Sequence, residues 1–341
     1  MIKCIFTIDY EIFGNGQGAL QELVYEPAAR LQDLFNKWNA KFVVFVEAAE
    51  LDVIDAWHAD AAIGDVRRQV RDFYRQGYEI ALHLHPQWCN ARLEAGQWIL
   101  DYEEYNLCTL SPERIAEIVD RSLAYLRQIT EDSGFTPKSF RAGNWLFRPT
   151  RDVASVLAER GLGIDSSVFK GGLLRQHRLD YRRAAFNGFF WTFRDDVNIP
   201  CADGFMLEVP VFTRNVPFWK MLTCKRVGLQ HKAVAKGLSQ CRSWSHYLDY
   251  ARFRYPMKFD FCRMTLAELK SLVDEVICLD RESPDTFKPL VAIGHTKDLV
   301  DLDAVQGLLA YLKERDIGVS TLTQIYDQCR TQLRNGAPEV S

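Results

Sequence analysis

The feature that most constrains this chain is a regular alternation of short β-prone runs with longer amphipathic ones. Between residues 3 and 167 the strand-like runs fall at 3–9, 42–46, 79–86, 139–143 and 163–167. Helical periodicity occupies 27–38, 60–76, 111–130 and 150–160 between them. Ser111 followed by Pro112 marks one helix start, with Ser as N-cap and Pro in the first turn. Gly77 and Gly161 sit where helix C-caps belong. Strands that alternate with helices build βα units and a parallel sheet. The pattern pauses and then resumes, with a strand at 206–210, a helix at 265–280, a strand at 291–295, a helix at 302–315, a strand at 318–322 and a closing helix. The expected fold class is therefore α/β, with residues 1–335 forming one (β/α) barrel domain. In such a barrel the loops after the strands' C-terminal ends form the active face.

Polar, chemically capable residues fall at those ends. The run Glu79-Ile-Ala-Leu-His83-Leu-His85-Pro86 places two histidines at i and i+2, so on a strand both imidazoles face one way. Asp9 and Glu11, in Thr7-Ile-Asp9-Tyr-Glu11, repeat that spacing with carboxylates. Arg141, Asp165 and His295 end three further runs. Glu11, His83 and His85 make a two-histidine, one-carboxylate set suited to a divalent metal, which would leave positions for water and for a substrate oxygen. Asp9 is the candidate general base, Arg141 its bidentate partner and His295 the candidate acid. An exchange of roles between Glu11 and Asp9 stays open, as does Asp165 joining the ligands. His58, His177, His231 and His246 lack strand-end placement and are read as structural. The glycines at 14, 16 and 18 do not match a dinucleotide-binding loop, because their spacing differs and two carboxylates lie just upstream.

Composition excludes some functions. The net charge of −3 argues against a globally nucleic-acid-binding surface. Nine cysteines show no CxxC pair, which suits free thiols in a reducing compartment. No apolar run reaches transmembrane length, and Met1 leads straight into strand-like sequence, so a cytoplasmic location is expected. Residues 216–258 form a basic, aromatic-rich helical insertion. It holds nine Lys or Arg against one acid, Asp249. Such a segment suits either a packed lid or peripheral contact with an anionic membrane surface.

The chain resembles the polysaccharide deacetylase family, carbohydrate esterase family four, as a divergent branch. The stretches that carry the resemblance are Phe6-Thr-Ile-Asp9-Tyr-Glu11, Gly77 to Pro86, Phe140-Arg141-Ala-Gly143-Asn144-Trp145, Leu207-Glu208-Val-Pro210 and Ile293-Gly-His295-Thr296. The chain has Asp-Tyr-Glu where the family commonly has adjacent aspartates, and His-Leu-His where it commonly has His-x-x-x-His. The resemblance implies a distorted (β/α)7 barrel and a divalent metal, zinc above others. It also implies removal of an acetyl group from an N-acetylated sugar. By it Asp9 is the base, Glu11, His83 and His85 the metal ligands, Arg141 the base-orienting arginine and His295 the acid. Asn144, Trp145 and Asp165 are expected to meet substrate. A lipid-linked or nucleotide-linked precursor of a surface polysaccharide suits the expected location. Two other readings remain: an amidohydrolase or deformylase acting on another acyl group, and a catalytically silent glycan-binding barrel.

Overall fold

A computed structural model describes residues 1–221 and 254–336. Its central strand is β1 (Ile2–Tyr10). Successive side chains on a strand face opposite ways, so β1 has two distinct faces. Phe6, Ile8 and Tyr10 join the apolar layer shared with the helices, and Ile5 joins a separate inner cluster. Thr7 and Asp9 continue the Ile5 face by parity.

The other sheet strands are β2 (Val43–Glu47), β3 (Glu79–Leu84), β4 (Ser139–Ala142), β5 (Ile164–Asp165), β6 (Trp191–Phe193), β7 (Met206–Glu208), β8 (Lys288–His295) and β9 (Gly318–Ser320). Their order is β6-β7-β5-β4-β3-β2-β1-β8, with β9 also on β1. Only the β6–β7 pairing is antiparallel. Beyond β7 the chain reaches β8 through isolated bridges, Val211 to Val291 and Asp260 to Ile293, which close the ring. The ring strands are β1 to β5, β7 and β8, which makes the expected (β/α)7 barrel. Its distortion lies at this seam, held by isolated bridges rather than a full ladder.

The helices are α1 (Glu26–Lys37), α2 (Ala48–Ala56), α3 (Ile63–Arg75), α4 (Pro112–Thr130), α5 (Arg151–Glu159), α6 (Leu266–Glu282), α7 (Leu302–Glu314) and α8 (Leu322–Gly336). Ser111 caps α4 as expected, its hydroxyl accepting from Arg114 N at 3.3 Å. Gly77 ends α3 in the left-handed region at φ 77°, which a β-carbon would resist. The sequence reading missed α2. Glu47 is both the last residue of β2 and the N-cap of α2, so no turn residue separates strand from helix.

The barrel interior is apolar at one end. Ile5, Val43, Phe45, Ala81, Ile164, Leu207, Val291 and Ile293 form the inner cluster, closed from below by Leu322, Ile325 and Cys329 of α8. Each buried Val, Leu, Ile or Phe side chain among them contributes about 1.5–3 kcal/mol. Continued by parity toward the C-terminal ends, these strands turn polar: Asp9 after Ile5, Glu47 after Phe45, His83 after Ala81 and His295 after Ile293.

The basic insertion begins and ends as an antiparallel ribbon, Thr213–Pro217 against Arg254–Lys258, and a single 3-10 turn, Phe218–Met221, follows the first of these strands. Residues 222–253, the body of that segment, lie outside the described residues. Among the described residues no helix is long and apolar enough to cross a membrane, and Cys4, Cys89, Cys108, Cys201, Cys262, Cys278 and Cys329 are free thiols.

Candidate active site

Strand register assembles the site. Asp9 pairs with His295 across β1 and β8, and His83 pairs with Glu47 on one side and Arg141 on the other. Asp9, Glu11, His83, His85 and Arg141 are all buried. His83 Nε2 and His85 Nε2 lie 3.4 and 3.0 Å from one oxygen, Glu11 Oε2. Tetrahedral zinc with bonds of ~2.0–2.1 Å has ligand–ligand edges of roughly 3.3 Å. The two edges to Glu11 match that length, and all three donor atoms lie within 4.8 Å of one another.

The hydrogen bonds behind the donors favour a cation. His83 Nδ1 lies 2.8 Å from the Arg141 carbonyl, which can only accept, so Nδ1 carries the proton. In the neutral ring Nε2 is then a lone pair aimed at a carboxylate oxygen. That contact is repulsive unless a proton or a metal ion lies between. His85 Nδ1 lies 3.2 Å from the amides of both Gln87 and Asn144. The Gln87 carbonyl oxygen is buried without a partner. Turned toward His85 it would accept an Nδ1 proton and leave Nε2 free for a metal. A third contact fixes the ring: the His85 backbone N–H donates to Glu47 Oε1 at 2.7 Å.

Lys297 holds the remaining oxygen of Glu11. Its ammonium donates to Glu11 Oε1 at 2.7 Å and to the Ile12 carbonyl at 2.8 Å. Burial pushes the Glu11 carboxyl up, but Lys297 and the two histidines outweigh it and hold it well below the usual carboxylate range. Burial likewise opposes the His83 charge, yet Asp9 and Glu11 raise this imidazole above its ordinary value. His85 falls below its ordinary value because burial dominates.

Asp9 links this group to an acid–base pair. Arg141 donates from Nη1 to Asp9 Oδ1 at 2.6 Å and from Nη2 to Thr7 Oγ1 at 3.0 Å. Its Nε donates to the Ser166 carbonyl at 3.0 Å, and the Phe45 ring centre lies 4.0 Å from the guanidinium carbon. The pairing is thus single-oxygen on Asp9, where a bidentate one was expected. Asp9 Oδ2 remains, 3.4 Å from His295 Nε2 and 3.9 Å from His83 Nε2. Burial opposes the Asp9 charge, but Arg141, His83 and His295 lower its pKa below the ordinary value. His295 Nδ1 faces Asp298 Oδ2 at 3.7 Å, and Arg263 holds that oxygen from Nε at 2.9 Å. Burial outweighs the Asp9 and Asp298 carboxylates and holds the His295 imidazole below its ordinary value.

The turn after Arg141 is shaped by the histidines. A β-carbon on Gly143 would meet the Leu84 carbonyl at 2.4 Å and the His85 ring at 2.7 Å, so only glycine fits. Asn144 and Trp145 follow with φ of 53° and 65°, two strained non-glycine residues in succession. Asn144 reaches His85 as described, and Trp145 is half-buried beside Arg141, with 5.5 Å from guanidinium carbon to ring centre. Asp165 differs from its expectation. It is fully buried, with its oxygens taken by the Ser167 hydroxyl at 2.6 Å and amide at 3.1 Å. Glu208 also bonds to it. Glu47, Glu208, Arg263, Lys297 and Asp298 were given no role by sequence reasoning. Period-2 parity along β2 could have found Glu47, and the i, i+3 spacing from His295 could have found Asp298.

No protein-family model matches the chain, and no curated protein matches it. Solved structures do. A protein from Mycobacterium smegmatis assigned as a polysaccharide deacetylase superposes with a TM-score of 0.54 at 16% identity, over 97% of this chain and 91% of that one. One from Pseudomonas aeruginosa PAO1 with the same assignment gives 0.52 at 12%, over 99% and 92%. A GH57 branching enzyme from Thermococcus kodakaraensis gives 0.57 at 12%, over 96% and 71%. The fold is that of the polysaccharide deacetylases, shared here at low identity. The branching enzyme shows that one barrel carries more than one chemistry, so activity has to be argued from the site.

Proposed function

We propose that the protein is a metal-dependent hydrolase that removes an acetyl group from the nitrogen of an N-acetylated sugar. The observation that carries this reading is Asp9. One of its oxygens is fixed by Arg141, and the other faces both His295 and the Glu11–His83–His85 group.

Glu11 Oε2, His83 Nε2 and His85 Nε2 would hold the ion, and their nitrogen and carboxylate chemistry suits zinc. When bound, it supplies Lewis acidity to the acyl oxygen and lowers the pKa of water. That second effect matters here, because a carboxylate held below its ordinary pKa is a weak base toward ordinary water. Asp9 takes the proton as the water oxygen bonds to the acyl carbon. His295, 3.4 Å from Asp9, takes that proton from Asp9 and passes it to the sugar nitrogen as the C–N bond breaks, which returns Asp9 to its carboxylate form. Acetate and a free amine result, with one water consumed. Asp298, fixed by Arg263, supports the charged imidazole while it holds the proton. Asn144 and Trp145 line the approach, and Asp165 supports the barrel behind Arg141.

The test combines metal content with product analysis. Purified protein is expected to carry about one transition-metal ion per chain, to lose it in His83→Ala, and to release acetate from N-acetylated sugars. Full metal retention in that variant would sink the metal site. Release of formate and no acetate would replace the acetyl group with a formyl one. Bound glycan without metal or product would favour the silent barrel. Lipid-linked or nucleotide-linked substrates and a cytoplasmic, membrane-peripheral setting are the matching reading of residues 216–258. Salt-insensitive absence of liposome binding would remove membrane contact from it.

A further inference from the structure

Lys258 ends the returning strand of the ribbon and pairs with Thr213. Sequence reading counted it among the charges of the basic insertion, yet the fold brings it to the site. Its ammonium lies 4.0 Å from the ring centre of Trp145 and 4.9 Å from that of Phe169, two rings in edge contact with each other. Asp9 and Arg141 both act on its charge.

The group is unlike the other sequestered lysines. Lys297 donates to Glu11 and Ile12, Lys288 to Asp280, Ser283 and Thr286, and Lys170 to the carbonyls of Asn187 and Gly188. Among the described residues the Lys258 ammonium makes no ion pair and no hydrogen bond; its contacts are the two ring faces. The nearest acid in sequence is committed elsewhere. Asp260 Oδ1 accepts the amides of Cys262 and Arg263, each at 3.0 Å, and Oδ2 faces Arg263. Asp9 is held by Arg141. An ammonium has three donors, and aromatic faces attract its charge without accepting them as an oxygen would. Burial, with Arg263 next in weight, pushes the Lys258 pKa down to about 8, as expected where positive charge is in local excess. An anion placed there would relieve both deficits.

We propose that Lys258, seated over Trp145 and Phe169, is an anion-recognition point at the active site, and that the substrate sugar carries an anionic oxygen group, a carboxylate or a phosphate, near its acylated nitrogen. The identification of that anion as part of the substrate rests on the hydrolase reading; the anion site itself does not.

The test is equilibrium binding to the full, metal-loaded chain at fixed ionic strength. Three probes are compared: neutral N-acetylglucosamine, N-acetylmuramic acid for the carboxylate and N-acetylglucosamine 1-phosphate for the phosphate. At least one anionic sugar is expected to bind about tenfold tighter than the neutral one, the effect of one charge-assisted hydrogen bond. The arm that shows it names the anion. Lys258→Met is expected to erase the preference and Lys258→Arg to keep most of it, with the circular dichroism of both variants unchanged. Equal binding of all three probes overturns the proposal. So does a preference that survives in Lys258→Met, or no binding of either anionic sugar at millimolar concentration. An anion preference in a protein that releases no acetate from any sugar would sink the hydrolase reading and leave this site standing.

Discussion

Two pairs of buried carboxyl groups sit around Arg141, and they have been driven in opposite directions. Asp9 and Glu11 are held below their ordinary pKa values, whereas Asp165 and Glu208 are raised above theirs. Residue type and burial are alike in the two pairs, so neither explains the difference. Cations within reach do. Asp9 has Arg141, His83 and His295, and Glu11 has Lys297 and two histidines. Asp165 and Glu208 share only a minor influence of Arg141, and the neighbouring Asp165 carboxyl adds to burial in raising Glu208. The first pair is built to face positive charge and the second to keep a proton. A third pair, Glu47 and Glu50 behind His85, follows the second: burial and Glu11 push Glu50 up to about 8.

This contrast can be broken at either end. The largest effect is expected from Asp9→Asn, which should keep the metal and lower turnover by about 10²–10⁴, the range for a positioned base. Unchanged turnover would take Asp9 out of that role. Arg141→Met should next cost about 3–5 kcal/mol in denaturant unfolding, because it leaves a buried Asp9 charge unpaired. In the Asp9→Asn background the same change should cost much less; equal costs would mean that the pair is not coupled.

A smaller effect concerns pH. Glu50 is raised in the folded state, so its contribution is full below its ordinary value of 4.5 and is lost as pH rises through about 8. Glu50→Gln should therefore flatten the fall of stability between those limits, as read from thermal unfolding across pH. An unaltered slope would assign that fall to other groups. The smallest effect is expected from Glu208→Gln. A carboxyl already neutral loses little on becoming an amide, so stability should change by less than about 1 kcal/mol. A loss of several would show that Glu208 is ionised and that the two pairs are alike after all.

Much of the fold was legible because its signals are local. Apolar runs of strand length, the Ser111–Pro112 helix start and the turn at Gly77 depend on neighbours in sequence, so β1, β3, α4 and the end of α3 lie where expected. Where a local signal is missing the reading failed. No turn residue stands between β2 and α2, so α2 went unseen. The inner cluster is a long-range product of strand parity and α8, which no single stretch announces.

The sequence by itself determined which residues could meet. Period 2 puts His83 with His85 and Asp9 with Glu11, and a parallel sheet brings strand C-terminal ends to one face. Only the tertiary structure decided what those residues do there. Whether a buried carboxyl holds a charge or a proton depends on cations from distant strands, such as Lys297 on Glu11 and Arg141 on Asp9. The position of Asp165, at a strand end like Asp9, did not reveal that its oxygens are spent on Ser167. Nor did the charge pattern of residues 216–258 reveal that Lys258 leaves that segment to stand over Trp145. Spacing along a chain fixes direction on a strand, but a pKa or a free donor is set by everything within a few ångströms, and that neighbourhood exists only once the barrel has closed.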